Sequence, residues 1–307
     1  MTSAQLYSMT QTNSRNKMDW TDLGAVPLKR VYTAMTTYDN YGTEMLIGYD
    51  SASGTCDTYE LLDKAPWVKE VANIFDFGKG WDSIQPFYMM NHPHILAYQA
   101  KNGHMYFFPL TKSLHSEHPL HFYHLRYPYT NNLSEVRCLN SLGQNFVLGY
   151  NTEDGAVNIW TISATATSTG KSPPLVVESV WAHQWAKGWT RFAFFTWGAE
   201  SFFLKTNTWK PNVNIDHVWN DLSAGTNEVG SHLKLKDDQT LNIVRPFMVG
   251  SGDPYFLTYL SATGEVRLNR VHGDCMGWTT EATERAFANA ETILTYRLGD
   301  QNYGLFV

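Results

Sequence analysis

The segment MLIGY at residues 45–49, with Gly54 five residues after its tyrosine, decides the fold because the same arrangement recurs through the chain. It returns in HILAY (94–98) with Gly103, in FVLGY (146–150) with Gly155 and in YFLTY (255–259) with Gly264. Two further copies are degenerate: SFFLK (201–205) lacks both the tyrosine and the glycine, and TILTY (292–296) is followed early by Gly299. Six copies indicate six structural units.

Each copy belongs to a larger unit of short strands. A β-type stretch precedes the anchor, as in SIQPFYM from Ser83, and an alternating stretch follows it, as in HMYFFPL from His104. The anchors are separated by 49, 52, 55, 54 and 37 residues. A period of about 50 residues with three or four strands is typical of a propeller blade. We therefore predict an all-β, six-bladed β-propeller of antiparallel blades, formed by residues 1–307 as a single domain.

The last unit ends early, at YGLFV (303–307), which is only its third predicted strand. A propeller left open would expose the edges of its first and last blades, so closure requires a strand from the other end of the chain. The segment AQLYSMT (4–10) alternates as a strand does, and we expect it to form the outer strand of the blade at residues 285–307. The alternative is a frayed terminus.

Composition and charge argue against several classes of function. The formal net charge of −6 disfavours nucleic acid as a partner, since phosphate binding needs clustered Lys and Arg. The chain has no apolar run of membrane-spanning length and no apolar signal segment near Met1, so we predict no membrane association. Three widely spaced cysteines, Cys56, Cys138 and Cys275, indicate free thiols in a reducing compartment. We expect a cytoplasmic protein, or one exported by an unusual route.

Four histidines at three-residue spacing raise the question of a metal site: His115, His118, His121 and His124. A strand would alternate these side chains across its two faces, and Pro119 would break a helix that could collect them. The chain also lacks the common metal-ligand, nucleophile and phosphate-loop motifs. We therefore predict no metal, no cofactor and no disulfide.

Three tryptophans follow a glycine 16 to 18 residues before an anchor: Trp81, Trp189 and Trp278. A tryptophan that recurs in alternate blades is typical of a packing wedge between sheets. The alternative is an indole face at the rim that stacks on a ligand. Both interpretations stay open, and the three tryptophans are candidate substrate-binding residues.

A further candidate site comes from the first predicted strand of each unit. The residue two before the large apolar position gives the set Thr36, Gln85, Arg137, Phe192, Arg245 and Arg285. If the first strands are innermost, pseudo-symmetry brings these residues around the propeller axis. Three arginines and a glutamine there would hold an anion, an enolate or another electron-rich oxygen.

We therefore assign catalytic roles to Gln85, Arg137, Arg245 and Arg285, and we expect Thr36 and Phe192 to contribute to substrate binding. The alternative is that each arginine pairs with a carboxylate of the next blade and only links blades together.

The structural anchors repeat while the residues between them do not, which favours one site with unequal contributions over several equivalent sites. The GW…F…LLxY…G unit resembles the blades of tachylectin-like and fungal propeller lectins, which bind fucose or N-acetylhexosamines. It also resembles fungal hetero-Diels–Alderases of tropolone-sesquiterpenoid biosynthesis.

The second resemblance implies a cofactor-free biosynthetic enzyme of secondary metabolism. It would bind a small hydrophobic, oxygenated molecule in an axial pocket and promote cyclisation or cycloaddition by holding the reacting groups together. The alternative function is a carbohydrate-binding lectin with glycan sites between its blades.

Overall fold

The predicted strands form six separate antiparallel sheets. The computed structural model describes residues 2–11, 18–74, 77–89, 92–110, 123–126, 132–141, 144–164, 175–207, 213–219, 222, 224–228, 243–249, 252–273 and 277–307. Across these ranges, 24 strands build six four-stranded sheets, and the predicted six-bladed β-propeller is confirmed. None of the described ranges holds a helix with the length and apolar character needed to cross a membrane.

The chain divides into two compact units. Residues 29–187 form the first, here called the middle unit, and residues 1–28 together with 188–307 form the second, here called the terminal unit. The chain begins in the terminal unit with β1 (Thr2–Gln11) and β2 (Met18–Leu28).

The middle unit contains three blades whose four strands pair in chain order. Blade 1 consists of β3 (Ala34–Asp39), β4 (Glu44–Asp50), β5 (Thr55–Leu61) and β6 (Val68–Ile74). Blade 2 consists of β7 (Ser83–Met89), β8 (His92–Gln99), β9 (His104–Pro109) and β10 (Tyr123–Arg126). Blade 3 consists of β11 (Glu135–Ser141), β12 (Gln144–Tyr150), β13 (Ala156–Ala164) and β14 (Leu175–Gln184).

The terminal unit contains the other three blades. Blade 4 consists of β15 (Trp189–Trp197), β16 (Glu200–Asn207), β17 (Val213–Val218) and β18 (Ala224–Glu228). Blade 5 consists of β19 (Ile243–Val249), β20 (Asp253–Leu260), β21 (Glu265–Val271) and β22 (Trp278–Arg285). Blade 6 contains strands from both ends of the chain. Its first strand is β23 (Ile293–Leu298), which pairs with β24 (Gln301–Phe306); β24 pairs with β1, and β1 pairs with β2.

The N-terminal segment completes blade 6 with two strands. β1 pairs with β24, with Gln5 opposite Phe306, and β2 pairs with the other edge of β1. The prediction that residues 4–10 complete the C-terminal blade is confirmed, but they form its third strand, and β2 is the outer one. The C-terminal segment supplies only two strands, because Arg285 ends β22 and belongs to blade 5.

The repeated tyrosine fixes the connection that leads to the next blade. Four tyrosine hydroxyls bond to the main chain between an outer strand and the following first strand: Tyr49 to Gly78, Tyr98 to Leu133, Tyr150 to Ala186 and Tyr259 to Phe287, at 2.6–2.9 Å. Each hydroxyl is carried on a nearly fully buried ring. The tyrosine therefore satisfies polar groups of a connection that carries few ladder hydrogen bonds of its own.

The glycine five residues later serves the same connection. Gly264 has a φ of +70°, and a Cβ built on it would lie 2.5 Å from the Ala286 carbonyl oxygen. The Ala286 amide donates to the Gly264 carbonyl oxygen at 2.8 Å. A side chain at this turn would both strain the backbone and separate these two segments. The fixed spacing between the tyrosine and the glycine thus reflects two contacts with the same connecting segment.

Blade 4 places a threonine where the tyrosine is expected. Thr206 lies opposite Thr190 near the start of β15. Tyr49 lies opposite Ala34 at the start of β3 in the same way. Thr206 is therefore the counterpart of the tyrosines. Lys205, at which the degenerate copy was expected to end, precedes that position by one residue and faces the other side of the sheet.

Blade 6 has a phenylalanine at the tyrosine position. Phe306 on β24 lies opposite Ile293 at the start of β23. Tyr296, which was predicted to be the sixth anchor, lies on the first strand and stacks on Tyr303 with ring centroids 5.2 Å apart. The sixth repeat was thus assigned one strand too early.

Candidate functional site

The backbone register tests which first-strand residues are equivalent. The reference position in each second strand is the residue two before the tyrosine or its counterpart. The first-strand residue that pairs with this position is half-buried in every blade, and these six residues form the first-strand row: Thr36, Gln85, Arg137, Ala193, Arg245 and Thr295. Four of the six predicted positions belong to this row, and Phe192 and Arg285 do not.

Two local features explain the two misplaced residues. Arg191 has a φ of +57° at an irregularity in the β15–β16 register, which shifts the pairing by one residue. Phe192 is consequently 1% exposed, and Ala193 takes the equivalent position. Arg285 is the last residue of β22, the outer strand of blade 5, whereas Thr295 occupies the first strand of blade 6.

The arginines in the row make different contacts. Arg137 Nη2 lies 2.7 Å from Glu135 Oε2 on its own strand, and Nη1 donates to the Val136 carbonyl oxygen at 2.9 Å. Arg245 Nε donates at 2.7 Å to the carbonyl oxygen of Ile293, on the first strand of the next blade. Arg245 therefore links two blades of the terminal unit, as the alternative interpretation anticipated, although its acceptor is main chain.

The predicted axial pocket draws on both units. Thr36, Gln85 and Arg137 belong to the middle unit. Phe192, Arg245 and Arg285 belong to the terminal unit, so their convergence on one pocket stays a prediction.

The three predicted tryptophans lie at different places in their blades and pack against neighbours. Trp81 precedes β7, donates from Nε1 to the Phe77 carbonyl oxygen at 3.0 Å and lies 4.8 Å from the Tyr106 ring. Trp189 begins β15 under the Lys205 ammonium, and Trp278 begins the outer strand β22, 5.3 Å from the Phe256 ring. These contacts agree with packing wedges, and a role in substrate binding stays a prediction.

The histidine segment can be described only in part. His115, His118 and His121 lie outside the described residues, and His124 lies on β10. In the described ranges, no group of three or more His, Cys, Asp or Glu side chains is arranged to hold a metal ion. Cys56 and Cys138 are free thiols, and Cys275 lies outside the described residues.

A second group of chemically active residues lies where the first hairpins of blades 1 and 2 end. It consists of side chains that carry hydroxyl, carboxyl, amide or imidazole groups, and we call it the hairpin-end cluster: Tyr38, Asp39, Asn40, Tyr41, Glu44, Tyr88 and His92. All seven belong to the middle unit.

The cluster is built on a tight turn between β3 and β4. The Asn40 amide donates to the Thr43 carbonyl oxygen at 2.8 Å, and the Thr43 amide donates back at 3.3 Å. The two central residues, Tyr41 and Gly42, have φ values of 54° and 90°, as a two-residue hairpin of this twist requires. The Asp39 carboxylate accepts from the Gly42 amide at 3.0 Å. Tyrosine in the left-handed region costs about 1–2 kcal/mol, so the turn holds Tyr41 in an unfavourable backbone conformation.

Blade 2 binds this turn from the side. Tyr88 Oη accepts from the Asp39 amide at 2.8 Å and donates to the Asp39 carbonyl oxygen at 3.0 Å. The Tyr41 hydroxyl and His92 Nδ1 are hydrogen bonded at 2.7 Å. Tyr41 is 40% exposed, so this tyrosine–histidine pair is open to solvent. The two hairpins are thereby held in one arrangement at their ends.

Two carboxylates face each other across the turn. Asp39 and Glu44 are direct partners in the β3–β4 register. Burial, and secondly the charge of Asp39, raise the pKa of Glu44 to about 7. Burial is also the main cause that raises the pKa of Tyr88 to about 12. Among the described residues, neither Asp39 nor Glu44 forms an ion pair with a lysine or arginine.

Two buried polar atoms on the same strand and turn lack hydrogen-bond partners within the described residues: the Tyr38 hydroxyl and Asn40 Oδ1. Tyr38 is 3% exposed and Asn40 is 8% exposed. A buried polar atom without a partner is costly and usually calls for an explanation, such as a water or a ligand. The hairpin end therefore has hydrogen-bonding capacity that the described residues do not use.

The arrangement supports general acid–base chemistry. A glutamate with a pKa near neutrality can take and return a proton at physiological pH. Tyr41 on the same turn and His92 on the neighbouring hairpin add two hydrogen-bonding side chains to this end of the sheets. Sequence reasoning missed this cluster. The only local signal is Asn40-Tyr41-Gly42, which has the residues of a tight hairpin turn except for its central tyrosine.

Comparison with known proteins bears on the fold. No protein-family model matches the chain, and no curated protein matches its sequence. A provisionally assigned 6-phosphogluconolactonase from Bacteroides uniformis aligns with a TM-score of 0.52 and 10% sequence identity, covering 95% of this chain and 86% of its own. A protein from Lactobacillus plantarum aligns with a TM-score of 0.52 and 8% identity, covering 94% of this chain and 98% of its own.

A third similar structure, the periplasmic gluconolactonase of Pseudomonas aeruginosa, aligns with a TM-score of 0.49 and 9% identity, covering 94% of this chain and 97% of its own. At these identities the likeness of the first two structures supports the propeller fold alone.

The expected function has to be corrected. The sequence resemblance favoured a hetero-Diels–Alderase-like cyclase, with a lectin as the alternative, and this expectation is wrong. The similar structure from Bacteroides uniformis is named as a lactonase, and neither it nor the Lactobacillus plantarum protein is named as a cycloaddition enzyme or a lectin. The physical reason is that the tyrosine and glycine of the repeat hold blade connections together, so they specify the blade and carry no information about the reaction.

Proposed function

We propose that the protein is a lactonase-type hydrolase that opens a small cyclic ester at the hairpin-end cluster. The observation that carries the proposal is Glu44, a carboxyl group with its pKa raised to about 7, at the end of the hairpin whose turn residue Tyr41 is hydrogen bonded to His92. The lactonase name of a structure with the same fold agrees with this chemistry.

In the proposed reaction, Glu44 acts as the general base. Its carboxylate accepts a proton from a water molecule while the water oxygen attacks the carbonyl carbon of the lactone. The bond between that carbon and the ring oxygen then breaks, and protonated Glu44 returns its proton to the departing oxygen. The product is an open-chain hydroxy acid, and the only other reactant is water.

The tyrosine–histidine pair would stabilise the carbonyl oxygen as negative charge develops on it. When Tyr41 donates to His92 Nδ1, the proton of the neutral imidazole lies on Nε2, which is then a donor on an exposed ring. Tyr88 would act as a positioning residue, because its hydroxyl fixes the main chain of Asp39 at one end of the turn. A preorganised donor of this kind typically contributes about 3 kcal/mol to the transition state.

The test is the hydrolysis of a panel of five- and six-membered lactones. The rate is measured as the release of acid in weakly buffered solution. Glu44→Gln is expected to lower the rate by about 10²–10⁴-fold, the usual contribution of a general base. Glu153→Gln is the matched control, because Glu153 is an exposed glutamate on a turn of the same unit. No hydrolysis by the wild-type protein, or full activity of Glu44→Gln, would overturn the proposal.

A further inference from the structure

The charges of the hairpin-end cluster bear on the kind of lactone that it accepts. Asp39 is exposed and Glu44 is half-buried, and they lie opposite each other at the end of one hairpin. Above the raised pKa of Glu44 its carboxylate adds a negative charge next to the Asp39 carboxylate at the end of the hairpin. A phosphate group carries between one and two negative charges near neutral pH, and the cluster would repel it.

The other titratable groups on the neighbouring strands include two histidines and one lysine–glutamate pair. The neighbouring hairpin of blade 2 contributes His92 and His94. His94 is buried, its Nδ1 bonds to the His92 carbonyl oxygen at 2.8 Å, and burial lowers its pKa, which keeps it neutral at pH 7. On the adjoining strands of blade 1, Glu60 lies opposite Met45, and Lys69 Nζ is 3.4 Å from the Glu60 carboxylate.

Two arginines elsewhere in the middle unit are already engaged by carboxylates. Arg30 Nε lies 2.7 Å from the fully buried Asp57 carboxylate, and Arg137 pairs with Glu135 at the same distance. Proteins bind phosphate groups with arginine forks, lysines or helix N-termini. Within the described part of the cluster, none of these features is present.

The cluster is instead equipped for hydroxyl groups. Asp39 and Glu44 are strong hydrogen-bond acceptors, and the buried Asn40 Oδ1 and Tyr38 hydroxyl have no partner among the described residues. A ring with several hydroxyls supplies donors for the two carboxylates, whereas Asn40 Oδ1 and the Tyr38 hydroxyl are too enclosed for a substrate to reach directly. The exposed Tyr41 ring offers an apolar face to the C–H side of a sugar ring.

We infer that the hairpin-end cluster selects uncharged, polyhydroxylated lactones and discriminates against phosphorylated ones. This inference rests on the proposed function and adds a substrate class to it. The discrimination comes from the two carboxylates of Asp39 and Glu44, so it should be electrostatic and should weaken as salt is added.

The experiment compares the hydrolysis of glucono-δ-lactone with that of its 6-phosphate by the full chain, at low and at high ionic strength. We expect kcat/KM to favour the uncharged lactone by at least about tenfold at low salt, and added salt to reduce that ratio. Asp39→Asn removes one charge and should reduce the ratio in the same direction. It should also shift the pH–rate profile towards acid, because the charge of Asp39 helps to raise the pKa of Glu44.

The possible outcomes separate the two proposals. The inference about substrate class is overturned if the phosphorylated lactone is preferred, or if neither salt nor Asp39→Asn changes the preference. Either result would leave the proposed hydrolase function standing. Failure to hydrolyse either lactone, or any member of the wider panel, would overturn the proposed function itself. Retained binding of the uncharged lactone by Glu44→Gln without its hydrolysis would support both.

Discussion

Replacing Lys205 with methionine removes one half of a buried ion pair in blade 4. Lys205 Nζ lies 3.2 Å from Asp216 Oδ1 and 3.0 Å from Oδ2, and the two side chains are 3% and 0% exposed. The ammonium also lies 4.3 Å from the centre of the Trp189 ring, where a cation is attracted to the aromatic face. Methionine preserves most of the apolar stem and removes the charge.

The expected loss follows from the burial of both groups. Breaking a buried pair by removing one partner costs about 3–5 kcal/mol, because the remaining charge stays in the interior without the opposite charge that it was paired with. With about 2–4 °C per kcal/mol for a cooperative unit of 150–250 residues, Lys205→Met should melt about 6–20 °C below the wild-type protein. The double variant Lys205→Met/Asp216→Leu removes both charges and should recover most of this loss.

Thermal unfolding monitored by circular dichroism at neutral pH measures these differences. Lys101→Met is the matched control, because Lys101 is an exposed lysine on the β8–β9 turn. The reasoning is refuted if Lys205→Met melts as high as Lys101→Met, or if the double variant is less stable than the single one. Either result would mean that the Asp216 carboxylate is hydrated or otherwise compensated when the ammonium is removed.

Three further predictions concern the anchors, the cluster and blade closure. Gly299→Ala should cost about 1–2 kcal/mol for the left-handed backbone alone. Gly264→Ala should lower the free energy of unfolding, measured by chemical denaturation, by more than Gly299→Ala does, because its added Cβ also meets the Ala286 carbonyl oxygen at 2.5 Å. Equal losses for the two variants would show that this close approach is unimportant. The pKa of Glu44 is raised from 4.5 to about 7, so its contribution to stability is present below pH 4.5 and is lost as the pH rises through about 7. Glu44→Gln should therefore melt above the wild-type protein at pH 8 and converge with it in acid, and a constant difference would contradict the shift. Deleting residues 1–11 should lower the melting temperature strongly, because β24 and β2 both lose the strand between them, and an unchanged melting temperature would contradict the closure of blade 6.

The fold could be predicted from the sequence because the repeated residues make the same structural contact, with the connection between blades, in each unit that keeps them. Tyr49 and its counterparts can reach the next connection only from one position in the second strand, so their spacing survives where other residues vary. The alignment of the degenerate copies with the other repeats could not be predicted in the same way. Alternation identifies the two faces of a strand but does not show where an extra residue is inserted, and the apolar pattern around Arg191 does not reveal the bulge there.

The candidate site was predicted only in part, for a different reason. The first-strand row could be derived from one blade at a time, and four of the six residues predicted for it lie in it, while their role in a site stays a prediction. The hairpin-end cluster depends on contacts between residues about 50 positions apart, such as Tyr88 with Asp39 and His92 with Tyr41. The pKa of Glu44 depends on burial, which no local pattern of charges reveals. Such properties arise from packing between blades and are invisible in a single sequence.

The positions of the anchors and of the cluster within one blade favour a functional role for the cluster. Tyr49 and Gly54 lie at one end of β4, where they hold the connection to blade 2, whereas Glu44 begins the same strand at the other end. Five residues of strand separate Glu44 from Tyr49 by about 17 Å. The anchoring task therefore constrains one end of the sheet and leaves side chains at the other end free to differ from blade to blade. A left-handed tyrosine, a carboxyl group with a near-neutral pKa and buried polar atoms that have no partner in the described ranges are all destabilising features. Their concentration at the end that carries no anchor is the pattern expected where stability is given up for chemistry.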